Sequence, residues 1–150
     1  MDKSKCINEL NNLLTRTYDA EAGYKDAAAN SQNANLASMF KNNAEQRYNF
    51  GHEIKECIKH LGGKPDKGQS IEGKIHQTWM DIRSSVASND DLAVLKEVDR
   101  GEANALETYN EVLANLPKDL PGYDRIDAQK RQIETLQGQV KGLINNFAKS

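Results

Sequence analysis

The sequence has few cysteines, no excess of either charge and no long apolar run. Two cysteines among 150 residues are too few for a disulfide framework, which favours a reducing compartment. A formal net charge of −2 excludes the basic field that nucleic acids or anionic membranes require. No apolar run is long enough to cross a bilayer, and the first ten residues, MDKSKCINEL, lack the apolar block of a signal peptide. We therefore expect a cytoplasmic protein.

Sequence motifs that mark common enzyme classes are also missing. There is no nucleophile elbow, phosphate-binding loop, Cys-x-x-Cys or His-Glu-x-x-His. No segment alternates with the period of two that a half-buried strand requires, so we expect no β-sheet. The sequence does contain 37% apolar and 28% charged residues, the balance of one globular domain, which we assign to residues 1–150.

Apolar residues recur at steps of three and four along most of the chain, the spacing of amphipathic helices. This pattern predicts helices at about 4–31, 36–61, 71–88, 90–116 and 122–148. Short turns join the first helix to the second and the fourth to the fifth, which predicts two antiparallel hairpins. The third helix is long enough to return the chain along the other helices. The sequence therefore predicts an all-α, ferritin-like four-helix bundle with a helical crossover.

Four polar residues interrupt the apolar stripes near the middle of the four long helices. They are Glu21, Arg47, Glu102 and Gln137. Counting from the helix ends places all four at one level of the bundle. An ionised side chain in an apolar stripe is costly unless it is paired, so we expect Glu21, Arg47 and Glu102 to meet in a buried polar layer completed by Gln137.

Such a layer has three possible roles. It can be a structural acid–base–acid triad that fixes helix register. Alternatively, Glu21 and Glu102, with Glu45 as a weaker candidate, can be ligands of an iron or manganese site. Glu45 points away from the stripe, no Glu-x-x-His pair is present, and Arg47 competes for the carboxylates, which disfavours the metal. A small-molecule carrier is the third possibility, should the layer open into a cavity.

Several other residues are secondary candidates. His76 and Trp79 lie one turn apart on the third helix, where Trp79 is expected to pack on the bundle and His76 to form a hydrogen bond. Tyr109 is a possible partner of the polar layer. Cys6 and Cys57 lie level with each other near one end of the bundle, where buried free thiols are the simpler expectation and a redox-linked disulfide is the alternative.

Five segments in order resemble a bacterial family of ferritin-like four-helix-bundle proteins that is classed as a domain of unknown function. The segments are LNNLLTRTYDAEAGYKDAA at 10–28, EQRYNFGHEI at 45–54, LGGKP at 61–65, IHQTW at 75–79 and RGE at 100–102. The resemblance implies a ferritin-like fold, with the family's characteristic positions at Glu21, Arg47, His76, Trp79, Arg100, Glu102 and Tyr109. Relatives often have a histidine in the last helix where this chain has Gln137, which disfavours a metal site here.

Together these patterns predict a non-enzymatic protein that acts through association. We expect a homo-oligomer, with a dimer favoured, and no nucleic-acid or membrane partner. We expect no cofactor, with iron or manganese as the alternative in a metal-binding or oxidase-type protein. A role in stress physiology is suggested only by analogy with the fold.

Overall fold

The computed structural model describes residues 2–66 and 74–149, and for residues 74–77, 148 and 149 it describes the backbone only. Within these ranges the chain forms five α-helices and no strand, which confirms the all-α prediction. The helices are α1 (Lys3–Asn30), α2 (Ala34–His60), α3 (Lys74–Ala87), α4 (Asp91–Ala114) and α5 (Tyr123–Lys149). Their ends lie within two residues of the predicted ones, except that the predicted start of the third helix at 71 falls outside the described residues.

Side-chain caps explain where three of the helices begin. The carboxylate of Asp2 accepts a hydrogen bond from the backbone N–H of Lys5, and Asp90 does the same for Ala93. Asn33 caps α2 by accepting from two backbone N–H groups of its first turn. These side chains satisfy N–H groups that have no partner inside their own helix.

Hydrogen bonds and packing between the helices define the topology. The helix α1 packs along α2, α4 packs along α5, and α3 lies against α1 and α4. The Asn33 side-chain amide donates to Asp91 Oδ2 at 2.8 Å, so α2 and α4 begin at the same end of the molecule. The chain therefore returns between α2 and α4, as the predicted crossover requires.

The core consists of two apolar clusters separated along the helices. One cluster contains Leu10, Ile54 and Ile126 among its fully buried side chains, and the other contains Phe40, Leu95 and Val140. On α2 and α4 the residues between these clusters include Arg47 and Glu102, both only 2% exposed. A charged layer thus divides the hydrophobic core near the middle of the long helices.

Gly23 on α1 allows α3 to approach closely. A Cβ atom built at Gly23 would overlap the indole ring of Trp79 on α3. The ring also meets Tyr24 edge to face, with 5.0 Å between the ring centroids. The absence of a side chain at Gly23 therefore determines where Trp79 lies.

No helix in the described ranges has the length and hydropathy to span a membrane.

Candidate functional site

The centre of the candidate site is a buried ion pair between α2 and α4. Arg47 Nη2 lies 2.6 Å from Glu102 Oε1 and 2.8 Å from Oε2, so one guanidinium nitrogen contacts both carboxylate oxygens. The Arg47 and Glu102 side chains are 2% and 3% exposed. Arg47 Nη1 donates to Gln46 Oε1 at 2.7 Å. Charge-assisted hydrogen bonds of this kind offset part of the cost of removing two charges from water.

Tyr24 covers the pair from α1. Its ring centroid is 5.7 Å from Arg47 Cζ, within the range of a cation–π contact. Burial raises the pKa of Tyr24 well above its ordinary value, and the charge of Glu102 raises it further. Burial alone would lower the pKa of Arg47, but the neighbouring Glu102 carboxylate raises it above its usual value. Arg47 is therefore a permanent cation and Tyr24 is neutral.

A second polar network lies next to the pair, on the side of the α5 N-terminus. The Tyr109 hydroxyl donates to Gln129 Oε1 at 2.7 Å, and Gln129 Nε2 donates to Phe50 O at 3.3 Å and to Glu53 Oε1 at 3.0 Å. Gln129 is completely buried. Burial raises the pKa of Tyr109, while the charge of Arg47 acts in the opposite direction. This network joins α2, α4 and α5 around one amide.

Two predicted members of the polar layer lie elsewhere, so the predicted layer is only half correct. The carboxylate of Glu21 is partly exposed and pairs with Lys25 at 2.7 Å, because Ala20 takes the buried position in that turn of α1. Gln137 is also partly exposed and donates to Asp99 Oδ1 at 3.0 Å. The completely buried amide of α5 is Gln129, eight positions earlier.

Some of the remaining candidate residues lie at the interior and others do not. Glu45 is exposed and lines a groove between α1 and α2 together with Lys25, away from the ion pair. Trp79 and Tyr109 lie against the interior, as expected. Trp79 packs on Tyr24, and the Tyr109 hydroxyl donates to Gln129. The side chain of His76 lies outside the described residues. Cys6 and Cys57 are free thiols in the same apolar cluster, and burial raises the pKa of Cys57.

The donor set around the ion pair does not fit a metal centre. Both oxygens of Glu102 are occupied by Arg47, and Glu21 is paired with Lys25. Within the part of the chain that the structure describes, no three His, Cys, Asp or Glu side chains form a group that could hold a metal ion. The carboxylate that was predicted as a metal ligand thus has the Arg47 guanidinium against both of its oxygens.

A cleft opens over the ion pair between α1, α3 and α4. It has a volume of about 270 Å³ and reaches Arg47 and Glu102. Its walls also include Arg16, Ala20, Thr78, Trp79, Gly101, Asn104, Ala105 and Thr108. The small residues Ala20, Gly101 and Ala105 leave this space open. The sequence analysis did not identify Arg16 as a site residue. Arg16 lies between the buried Thr15 and Thr17 on α1.

The fold and the site together define an all-helical protein with a buried ion pair beneath a polar cleft. The model of the family described as domain of unknown function DUF2383 matches residues 5–115, and the chain belongs to this family. This finding confirms the expectation of a domain-of-unknown-function family. A comparison with curated proteins finds no match.

Proposed function

We propose that this protein is a non-enzymatic, ferritin-like four-helix bundle that binds a small molecule in the cleft above Arg47 and Glu102. The ferritin-like assignment is supported by the two helix hairpins and by the crossover helix α3, which allows α2 and α4 to run in the same direction. The observation that carries the binding proposal is the cleft itself, which reaches a buried ion pair in the middle of the helices.

The chemistry of the cleft supports binding more than catalysis. Arg47 and Glu102 satisfy each other, so neither offers a free base or nucleophile to a bound molecule. Trp79 supplies an aromatic wall, while Thr108 and Asn104 supply polar groups. A concave site with an aromatic wall and a few polar groups is typical of small-ligand pockets. Its volume of about 270 Å³ favours a ligand of metabolite size.

We also propose that the Arg47–Glu102 ion pair takes the interior position that the metal ions take in di-iron bundles. Purified protein should contain no stoichiometric iron or manganese by elemental analysis, and ferrous titration should show no saturable binding. Stoichiometric binding that is lost in Glu102→Ala and kept in the control Glu45→Ala would overturn this part of the proposal. Glu45 is a suitable control because it lies on an outer groove.

The only tryptophan of the chain makes binding directly measurable, because Trp79 lines the cleft. We would titrate the protein with benzoate, benzamide and benzylamine, which share a ring and differ in charge, and follow Trp79 fluorescence. At least one probe should give a saturable change. Ala105→Leu, which fills the cleft, should abolish it. Ala103→Leu is the matched control because Ala103 is exposed on the same helix. Failure of all three probes, or binding that survives Ala105→Leu, would contradict the proposed function.

A cytoplasmic location and a homodimer remain predictions. Two free thiols support the first, since cysteines in reducing compartments stay unpaired. Sedimentation of the purified protein would test the second, and a monomer at all concentrations would contradict it.

A further inference from the structure

Arg16 lines the cleft, and its hydrogen bonding with the described residues is incomplete. Its Nη1 donates to Thr108 Oγ1 at 3.1 Å. Its Nε is buried and has no hydrogen-bond partner among the described residues. A buried N–H of a cation without an acceptor is unfavourable, since it has lost water and gained nothing in return. The Nε atom is covered, so a bound molecule would meet the outer part of this partly unsatisfied cation.

The chemistry of a guanidinium specifies what that ligand must offer. The Arg16 guanidinium lines the cleft and keeps its positive charge, and a carboxylate is the acceptor that forms the strongest, charge-assisted hydrogen bonds with a guanidinium. In the described part of the chain no carboxylate lies within 4.0 Å of the Arg16 guanidinium.

The other charges of the cleft limit the charge of the ligand. Glu102 is neutralised by Arg47, and Arg16, the other cation of the cleft, forms no ion pair with a described residue. Two further carboxylates, Glu107 and Glu111, line the cleft from exposed positions on α4. They disfavour a doubly charged anion such as phosphate, because like charges repel. Because both are exposed, solvent screens their repulsion of a single carboxylate at Arg16.

We infer that the cleft binds small monocarboxylates, with the carboxylate at the Arg16 guanidinium and the organic part against Trp79. This inference rests on the proposed function and specifies the ligand class of the same cleft. The molecule is defined by one carboxylate, a short apolar body and a net charge no more negative than minus one.

The test extends the Trp79 titration to benzoate, butyrate, benzamide and inorganic phosphate. Benzoate and butyrate should bind, while benzamide, which lacks the charge, and phosphate should bind at least about tenfold more weakly, the factor expected for charge-assisted hydrogen bonds. Arg16→Gln should weaken benzoate binding by a similar factor and leave benzamide unchanged. Arg16→Lys keeps the charge, so it should bind benzoate more tightly than Arg16→Gln does.

Arg100→Gln is the matched control, since Arg100 is an exposed cation on α4 that pairs with Glu97 outside the cleft. It should bind benzoate as the wild type does, and circular dichroism should show that every variant keeps its helical content. Benzamide binding as tight as benzoate, or benzoate binding unaffected by Arg16→Gln, would overturn the inference while leaving a small-molecule function intact. Phosphate binding tighter than benzoate would also overturn it. Absence of binding by every probe would contradict the proposed function as well.

Discussion

Arg47 Nη2 lies 2.6 and 2.8 Å from the two carboxylate oxygens of Glu102, in the interior between the two apolar clusters. This contact joins α2 and α4, which do not follow each other along the chain. Because either charge alone would be buried without its counter-ion, the pair requires both helices to keep their relative height. The same contact forms the inner end of the cleft.

Stability at alkaline pH should report on Tyr24. Its pKa is raised in the folded protein, so its contribution is present below the unfolded value of about 10 and is lost as pH rises towards the folded value. Above about pH 10 each such tyrosine makes the free energy of unfolding fall by about 1.4 kcal/mol per pH unit. Tyr24→Phe should therefore flatten the pH dependence between about pH 10 and 11.

The measurement is urea unfolding at a series of pH values. Tyr48→Phe provides the control, because the Tyr48 side chain is 51% exposed and should leave the slope unchanged. A slope that is the same in Tyr24→Phe and in the wild type would show that Tyr24 titrates as freely in the folded protein as in the unfolded chain.

Gln129→Ala should be strongly destabilising. The substitution removes three hydrogen bonds at a completely buried site and leaves the Tyr109 hydroxyl without its acceptor. We expect a loss of about 2 to 4 kcal/mol in the free energy of unfolding, measured in urea. Gln132→Ala, an exposed position on the same helix, should change it by less than about 0.5 kcal/mol. Equal effects of the two substitutions would mean that the amide network does not stabilise the fold.

Gly23→Ala should destabilise the packing of α3. The added methyl group would overlap the Trp79 ring, so the indole must move or α3 must shift. Overpacking of this kind costs about 1 to 3 kcal/mol, and the displaced ring should change the fluorescence of Trp79. Gly138→Ala is the opposite case, because nothing lies within 4 Å of its Cβ position. It should stabilise α5 by up to about 1 kcal/mol through helix propensity alone. A neutral Gly23→Ala with unchanged fluorescence would contradict the close approach.

The fold was predictable because its signals are repeated many times along the chain. Each long helix carries apolar residues at helical spacing over many turns, and caps such as Asn33 and breakers such as Gly62 mark the ends. One misplaced residue does not change such a pattern. The positions of the helices and the return of the chain between α2 and α4 were therefore recovered from sequence.

The site was predicted less completely because it depends on single residues. In α1 the choice between Ala20 and Glu21 at the buried position rests on a rotation of about 100° between neighbouring residues of a helix. The small size of Ala20 made its burial easy to overlook, whereas the structure pairs Glu21 with Lys25. For Gln129 a signal was present, since its spacing from Ile126 and Ile133 is three and four. The orphan Nε of Arg16 has no sequence signal, because it depends on neighbouring helices.

The most direct test of the account is a double-mutant cycle on Arg47 and Glu102, with free energies of unfolding measured in urea. Arg47→Met and Glu102→Leu should each cost about 3 to 5 kcal/mol, because each leaves a buried charge without its partner. The double variant should cost much less than the sum, with a coupling of about 2 to 3 kcal/mol or more. Additive losses, or two single variants as stable as the wild type, would show that the two side chains are not a buried pair and would contradict the account.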